Sequence, residues 1–289
     1  MVVNPFDFFK YLSNYDVEFF TGVPDSLLKD FCLCIEDNVP FDRHVIAANE
    51  GNAVALAAGY HLATGKLPLV YMQNSGLGNG VNPLLSLCDP DVYSIPILLL
   101  IGWRGEPGIQ DEPQHVKQGK VQLDLLKAMD IPFEVISKDN NIEKKVATSI
   151  EIAIKNNQPF AIVVKKGTFG TYQCSLPSIN EKLMFREESL EIILNSLPAS
   201  SIIVSTTGKT SREIYEIREN SGQSHKQDFL TVGSMGHCSS IALGIALSKP
   251  DKKVVCIDGD GALIMHMGSL STVSKMRPKN FYHILMNNK

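Results

Sequence analysis

Six short, nearly all-apolar runs succeed one another through the first 166 residues: "VEFFTGV" (17–23), "RHVIAAN" (43–49), "LPLVYMQN" (67–74), "SIPILLLIGW" (94–103), "PFEVI" (132–136) and "FAIVVKK" (160–166). A strand apolar on both faces has to be covered on both, which few sheets other than parallel ones achieve. Between the runs lie helix-like stretches, 50–65 and 141–156 among them, so the order predicts a parallel sheet flanked by helices. The rhythm stops at 167–184, "GTFGTYQCSLPSINEKLM", where Gly, Ser, Thr and Pro gather as they do in linkers. A second series follows, with strands expected near 201–207, 228–233, 252–258 and 280–288. It is about two strands shorter than the first and ends on a strand. The expectation is an α/β chain of two domains, 1–170 and 190–289, joined by a linker at 171–189, with the second domain incomplete.

Composition narrows the function. The length suits about two ordinary domains. The net charge of -4 comes without a basic patch, so no nucleic-acid partner is expected. The opening "MVVNPFDFFKYLSNYD" carries Asp7 and Lys10 among its apolar residues and does not read as a signal peptide. The longest apolar run, "IPILLLIGW", is too short to cross a bilayer, so no membrane is expected either. Six scattered cysteines without a CxxC pair point to a reduced, cytoplasmic protein.

The last 38 residues carry the first chemical signal. "KKVVCID" reads as a buried strand, Gly259-Asp260-Gly261 as the turn at its carboxyl end, and "ALIMHMGSLSTVSKM" as the start of a helix. In an open α/β sheet ligands bind at that edge, and glycines there let backbone N–H groups approach a phosphate. A plain turn with Asp260 as helix cap is the other reading. The following strand, "NFYHILMNN", delivers Asn287 and Asn288 to the same rim. A carboxylate with an amide oxygen is a hard donor pair suited to Mg²⁺ bridging to a phosphate.

This Gly-Asp-Gly, helix, strand, Asn-Asn arrangement resembles the thiamine diphosphate enzymes. The resemblance implies that Asp260 and Asn288 hold the cofactor's diphosphate through Mg²⁺, with Gly259, Gly261 and Ala262 beside it, although the spacing is about one residue longer than in pyruvate-decarboxylase-like members. It places a third ligand, a backbone carbonyl, at position 290, beyond the last residue, and implies about ninety further residues to cover an otherwise bare apolar strand. It also asks for a carboxylate to bond the aminopyrimidine. "HVIAANEGNAVALAAGYHLATGK" provides Glu50 in the first turn of a helix, where a Glu also serves simply to offset the helix dipole. "VGSMGHCSS" resembles the segment that bends the cofactor, making Gly233, Ser234 and Met235 candidates, with a core methionine as the alternative for Met235. "TTGKT" is not a nucleotide P-loop, because position 203 is Ile where that motif needs Gly. The family places a phosphate-contacting loop there, which implies roles for Thr207, Gly208 and Thr210.

The linker leaves no room for a middle domain. Together with "TGVPDSLLKDF", "MQNSGLGN", "GWRGEPG", "DEPQH" and "STTGKTSRE", this makes the chain similar to the compact two-domain branch that includes phosphonopyruvate and sulfopyruvate decarboxylases. The similarity runs from about residue 5 to the end. It implies decarboxylation of a small 2-oxo acid, 3-phosphonopyruvate first, by a homodimer or larger homo-oligomer whose sites are shared between subunits. "DEPQH" reads as a polar loop after the fourth strand. His115 within it, and Asp25 and Ser26 in the "VPDS" turn, are candidates for proton handling and substrate positioning, with loop and capping roles as alternatives. Arg104 suits a phosphonate, or a surface ion pair, with Lys117 and Lys209 next in line. A non-catalytic protein that binds without turnover stays open as the reading from another class.

Overall fold

The computed structural model describes residues 2–138, 141–175 and 184–287. They form two compact units that part near residue 178. The first is built on a six-stranded parallel sheet of β1 (Phe20–Gly22), β2 (His44–Ile46), β3 (Leu69–Gln73), β4 (Leu98–Gly102), β5 (Phe133–Ile136) and β6 (Phe160–Val164), in the order β2-β1-β3-β4-β6-β5. All six lie inside the runs read from the sequence. The central strands β4 and β6 bury every residue, as their unbroken apolar runs require. The edge strands β2 and β5 are only partly covered, which corrects the expectation that every strand is covered on both faces.

Helices α1 (Pro5–Ser13), α2 (Lys29–Asn38) and α6 (Ile142–Asn156) cover one face, where Phe8, Phe31 and Ile150 meet Phe20, Leu98 and Ile162. Helices α3 (Glu50–Thr64), α4 (Leu77–Pro83) and α5 (Pro113–Ala128) belong to the other, where Val54, Ala57, Leu77 and Leu126 meet Val70, Leu99 and Val163. Truncating a fully buried leucine such as Leu99 to alanine costs about 2–5 kcal/mol at sites of this kind. The chain runs from β1 outward to β2, then returns to place β3 on β1's other side. That reversal opens the crevice in which α/β sheets bind ligands.

The second unit has four parallel strands, β7 (Ile202–Ser205), β8 (Asp228–Leu230), β9 (Val254–Gly259) and β10 (Phe281–Met286), in the order β10-β9-β7-β8. Its reversal lies between β7 and β9. Helices α7 (Arg186–Ser196) and α8 (Lys209–Asn220) pack together on one face, and α9 (Cys238–Ser248) packs on β7 and β9. After β9 the helix expected as one is two, α10 (Asp260–Met265) and α11 (Ser269–Met276), broken at 266–268. Strands β8 and β10 are partly exposed, with Tyr282 and Leu285 reaching solvent. The segment read as linker is partly structured. Asp30 and Asp37 on α2 accept the backbone N–H groups of Tyr172 and Ser175, and α7 already begins at Arg186, which pairs with Glu213.

Candidate active site

Four strands of the first sheet release their chains at one rim. β2 leads into α3, whose first residue is Glu50, capped by Asn49, which accepts the N–H of Asn52 at 3.0 Å. Glu50 is only 4% exposed. Its Oε2 accepts a hydrogen bond from the Asn79 amide at 2.8 Å. Its Oε1 lies against Gly76, where any Cβ would overlap the carboxylate, so only glycine fits there. The turn after β3 thus closes on Glu50 through Gly76 and Asn79. The same turn reaches β4: Asn74 accepts the N–H of Arg104 at 3.1 Å and donates to the Arg104 carbonyl at 2.8 Å.

Asp25, on the turn after β1, is 4% exposed and lies over Gly102 at the end of β4, again where a side chain would overlap it. One oxygen accepts the Leu27 N–H at 3.2 Å, and the other is buried without a partner. Burial pushes the Asp25 carboxyl up to about 6, against the opposing pull of Arg104 and the N–H groups of Leu27, Ser26 and Leu28. Arg104 is held by Asp111 through two bonds, Nε to Oδ2 at 2.8 Å and Nη2 to Oδ1 at 2.5 Å, while Nη1 donates to Ser26 Oγ at 2.9 Å. The guanidinium, helped by the N–H groups of Gly105 and Glu112, holds Asp111 far below the usual carboxylate range. The Arg104 pair is partly buried rather than a surface one. Lys117 is exposed.

His115 is not in a loop. "DEPQH" runs into α5, with Pro113 in the first turn and His115 two residues on. Gly105, at φ +68°, lets the His115 carbonyl approach, which fixes the head of α5 on the rim. Burial, then the Arg104 charge, lowers the His115 pKa, against Asp111 and Glu112, so the ring is neutral at neutral pH. A cavity of about 310 Å³ opens beside Asp25 and Ser26, lined also by Lys29, His44 and Tyr71. Asp25, Ser26, Glu50, Arg104 and His115 are therefore gathered on one rim by the turns after β1, β2, β3 and β4.

The second unit gathers the remaining candidates in the same way. Thr206 follows β7 and lies beside Gly259. Gly208 caps α8 at φ +92°, ψ −140°, a conformation open essentially to glycine alone. Thr207 and Thr210 flank it, Thr210 buried and Lys209 exposed. The Ser211 hydroxyl sits 2.7 Å from the Thr206 carbonyl and 2.8 Å from that of Thr231, tying the ends of β7 and β8 together. Gly233, Ser234 and Met235 follow β8, with Ser234 at φ +55°. A Cβ on Gly261 would lie 3.6 Å from the Met235 methyl, so Met235 reaches over the Gly-Asp-Gly turn instead of filling the core.

Gly259, not Asp260, precedes the helix as its cap, and Asp260 is the first residue of α10. Asp260 Oδ1 accepts the Gly261 N–H at 2.7 Å. Ala262 is buried behind it. Asn288 lies outside the described residues. A partly exposed carboxylate beside the glycine-lined turns of the β7/β9 crevice fits a hard cation carrying phosphate oxygens, so Asp260 and its rim suit a Mg²⁺-diphosphate. Cys238, Cys256 and Asp258 also cluster, but inside the core, and thiols are poor partners for Mg²⁺.

The sequence reading missed Asn74, Gly76, Asn79, Gly102 and Asp111. The motifs that contain Asn74, Gly76, Asn79 and Asp111 were legible, but which of their residues touch Glu50 and Arg104 was not.

A family model described as the thiamine pyrophosphate enzyme N-terminal TPP binding domain matches residues 6–128, and the C-terminal TPP binding domain matches 206–289. A phosphonopyruvate decarboxylase of Streptomyces viridochromogenes is 33% identical over 96% of this chain and 71% of its own. A sulfopyruvate decarboxylase of Methanosarcina acetivorans is 27% identical over 99% of this chain and 76% of its own. A sulfopyruvate decarboxylase subunit alpha of Methanothermobacter thermautotrophicus is 32% identical over 51% of this chain and 87% of its own.

Proposed function

The chain belongs to the thiamine pyrophosphate enzyme family, among its decarboxylases, and from that membership we propose that it converts 3-phosphonopyruvate to phosphonoacetaldehyde and CO₂, a step toward 2-aminoethylphosphonate and related phosphonates. The reaction is non-oxidative: the carbon–carbon bond to the carboxylate breaks, and the carbonyl carbon takes up one proton. Bound thiamine diphosphate supplies the nucleophilic carbon and the electron sink. The observation that carries the reading is Glu50, a carboxylate buried at the head of α3 with one oxygen held by an amide and the other left against a glycine. That is a side chain prepared to share a proton with a ring nitrogen.

In this reading residues 1–170 take the aminopyrimidine and 190–289 the diphosphate, through Asp260 and Asn288 with Mg²⁺, with 171–189 between them. The glycines and hydroxyls at Thr207, Gly208, Thr210, Gly233, Ser234, Gly259 and Gly261, with the small Ala262, line the diphosphate, and Met235 supports the cofactor's bend. Asp25, raised to about 6, exchanges protons near neutrality, and neutral His115 is its counterpart. Arg104, oriented by Asp111 and bonded to Ser26, meets the substrate's anionic tail. Six free thiols suit a reducing cytoplasm, and no described helix is long and apolar enough to cross a membrane. We extend the reading to a homodimer or larger homo-oligomer, to be checked by sedimentation.

With thiamine diphosphate and Mg²⁺, CO₂ release from phosphonopyruvate should fall about 100- to 10,000-fold in Glu50→Gln, while calorimetry still detects cofactor. Wild-type turnover by that variant would sink the assignment. The relative from Methanosarcina favours sulfopyruvate as the second substrate reading. The two are separated by kcat/KM for phosphonopyruvate, sulfopyruvate and pyruvate, where a site built for one anion discriminates sharply.

A further inference from the structure

Glu50 is buried, and a buried carboxylate needs partners. The amide of Asn79, 2.8 Å from Oε2, is one the structure supplies. Two glycines bring it there. A Cβ on Gly51 would stand 2.8 Å from the Asn79 carbonyl, and one on Gly76 would overlap the Glu50 carboxylate itself. Both turns have given up side chains so that the head of α3 and the start of α4 can close on one carboxyl group. Packing alone does not ask for an amide, since an apolar side chain of similar size would bring no donor.

The chemistry of the partner matters. A lysine or arginine at this position would bind the carboxylate as an ion pair and oppose its taking a proton. An amide donates one neutral hydrogen bond, fixes the carboxyl plane, and occupies Oε2 only. Oε1, lying against the bare Gly76 backbone, is then the oxygen that the amide leaves unoccupied.

We propose that Asn79 is the positioning residue of Glu50: its amide holds Oε2 and so dedicates Oε1 to proton exchange with the aminopyrimidine nitrogen of thiamine diphosphate. The proposal rests on the reading of Glu50 given above. It concerns the orientation of a group already in place, so cofactor affinity and folding should change little.

Asn79→Ala and the equally sized Asn79→Asp are compared with wild type and Glu50→Gln. Loss of a hydrogen bond to a charged group predicts a kcat about 10- to 100-fold lower in Asn79→Ala. Asn79→Asp should be slower still, because a second carboxylate faces Glu50. KM for the oxo acid and calorimetric affinity for thiamine diphosphate should stay within about threefold. A readout independent of turnover is the infrared carboxylate band of Glu50 in cofactor-free protein, isolated by subtracting the Glu50→Gln spectrum. It should shift when the Asn79 donor is lost.

An unmoved band, or wild-type kcat in both variants, overturns the proposal. Impaired Asn79→Ala beside unimpaired Asn79→Asp also overturns it, because that order means packing. If Asn79→Ala does not fold, Asn79→Asp with its preserved shape decides on the same readouts. Wild-type turnover by Glu50→Gln would instead remove the underlying reading of Glu50, whatever Asn79 does.

Discussion

Asp25→Asn should make the first unit more stable as the pH rises, relative to wild type, while impairing catalysis. The Asp25 carboxyl is raised from 3.8 to about 6, chiefly by burial. A raised folded-state pKa means that the native protein holds its proton where the unfolded chain has released it. The stabilisation from that proton is fully present below 3.8 and is lost as pH passes through about 6. A shift of about two units at 1.36 kcal/mol each gives a change of about 3 kcal/mol across that window. The asparagine side chain has no such titration. Its unpaired N–H, standing where Asp25 Oδ1 lacks a partner, costs about 1–3 kcal/mol, but equally at every pH.

The stability difference between the two proteins should therefore move by about 3 kcal/mol in favour of the Asp25→Asn variant between about pH 4 and pH 7. Urea unfolding followed by tryptophan fluorescence measures it. Trp103 is the one tryptophan, buried at the end of β4, with its indole N–H on the Gly119 carbonyl at 2.9 Å, so it reports the first unit. Titrations elsewhere cancel between the two proteins. Parallel stability curves, or a gap that opens toward wild type, would refute the assignment of a buried, proton-binding Asp25. A variant that is steadier at neutral pH and poorer in CO₂ release would show stability given up for function at this position.

Further substitutions test the rest of the rim. Gly76→Ala must displace the Glu50 carboxylate and should lower kcat by about 100-fold or more, as loss of an acid–base group does, and steady-state kinetics at wild-type level would contradict that. Gly102→Ala intrudes on Asp25 and should cost about 1–3 kcal/mol, the usual penalty for overpacking, seen as a lowered Tm. Asp111→Asn leaves the part-buried Arg104 without its counter-charge and should destabilise the first unit by about 3 kcal/mol; an unchanged urea midpoint would reduce the pair to a surface contact. Asp260→Ala should abolish the Mg²⁺ dependence of thiamine diphosphate binding, which titration with and without a chelator tests.

The ten described strands fall on stretches that the sequence marks as apolar, β9 running one residue further to Gly259, because a strand covered by helices has almost no freedom in residue type. The end of α5 nearest the site was less legible. Pro113 is a helix-start signal, yet the polar "DEPQH" reads as loop because the helix buries little of its first turn. The break between α10 and α11 was hidden by the continuous periodicity of "ALIMHMGSLSTVSKM", although Gly236 presses to within 2.7 Å of His266 when a Cβ is added, just where the first helix ends. Close approaches of this kind come from chain segments distant in sequence, and no local pattern records them.

The same distinction runs through the candidate site. Glu50, Asp25 and Asp260 announce themselves because a carboxylate at the carboxyl edge of a parallel sheet is chemically conspicuous. What determines their behaviour is quieter: a glycine that leaves room, an amide that donates once, an aspartate that turns an arginine. Glu50 and Asp25 are both carboxylates only 4% exposed, each over a glycine, on one rim. Glu50 has an amide donor on Oε2, whereas Asp25 has a backbone N–H on one oxygen and nothing on the other. A carboxyl group with an unpartnered buried oxygen is driven toward its neutral form, as Asp25 is, whereas the Asn79 amide gives Glu50 a hydrogen-bond partner for one of its oxygens. Two carboxylates alike in burial thus differ in what their oxygens meet, and the difference is set by residues far from either in sequence.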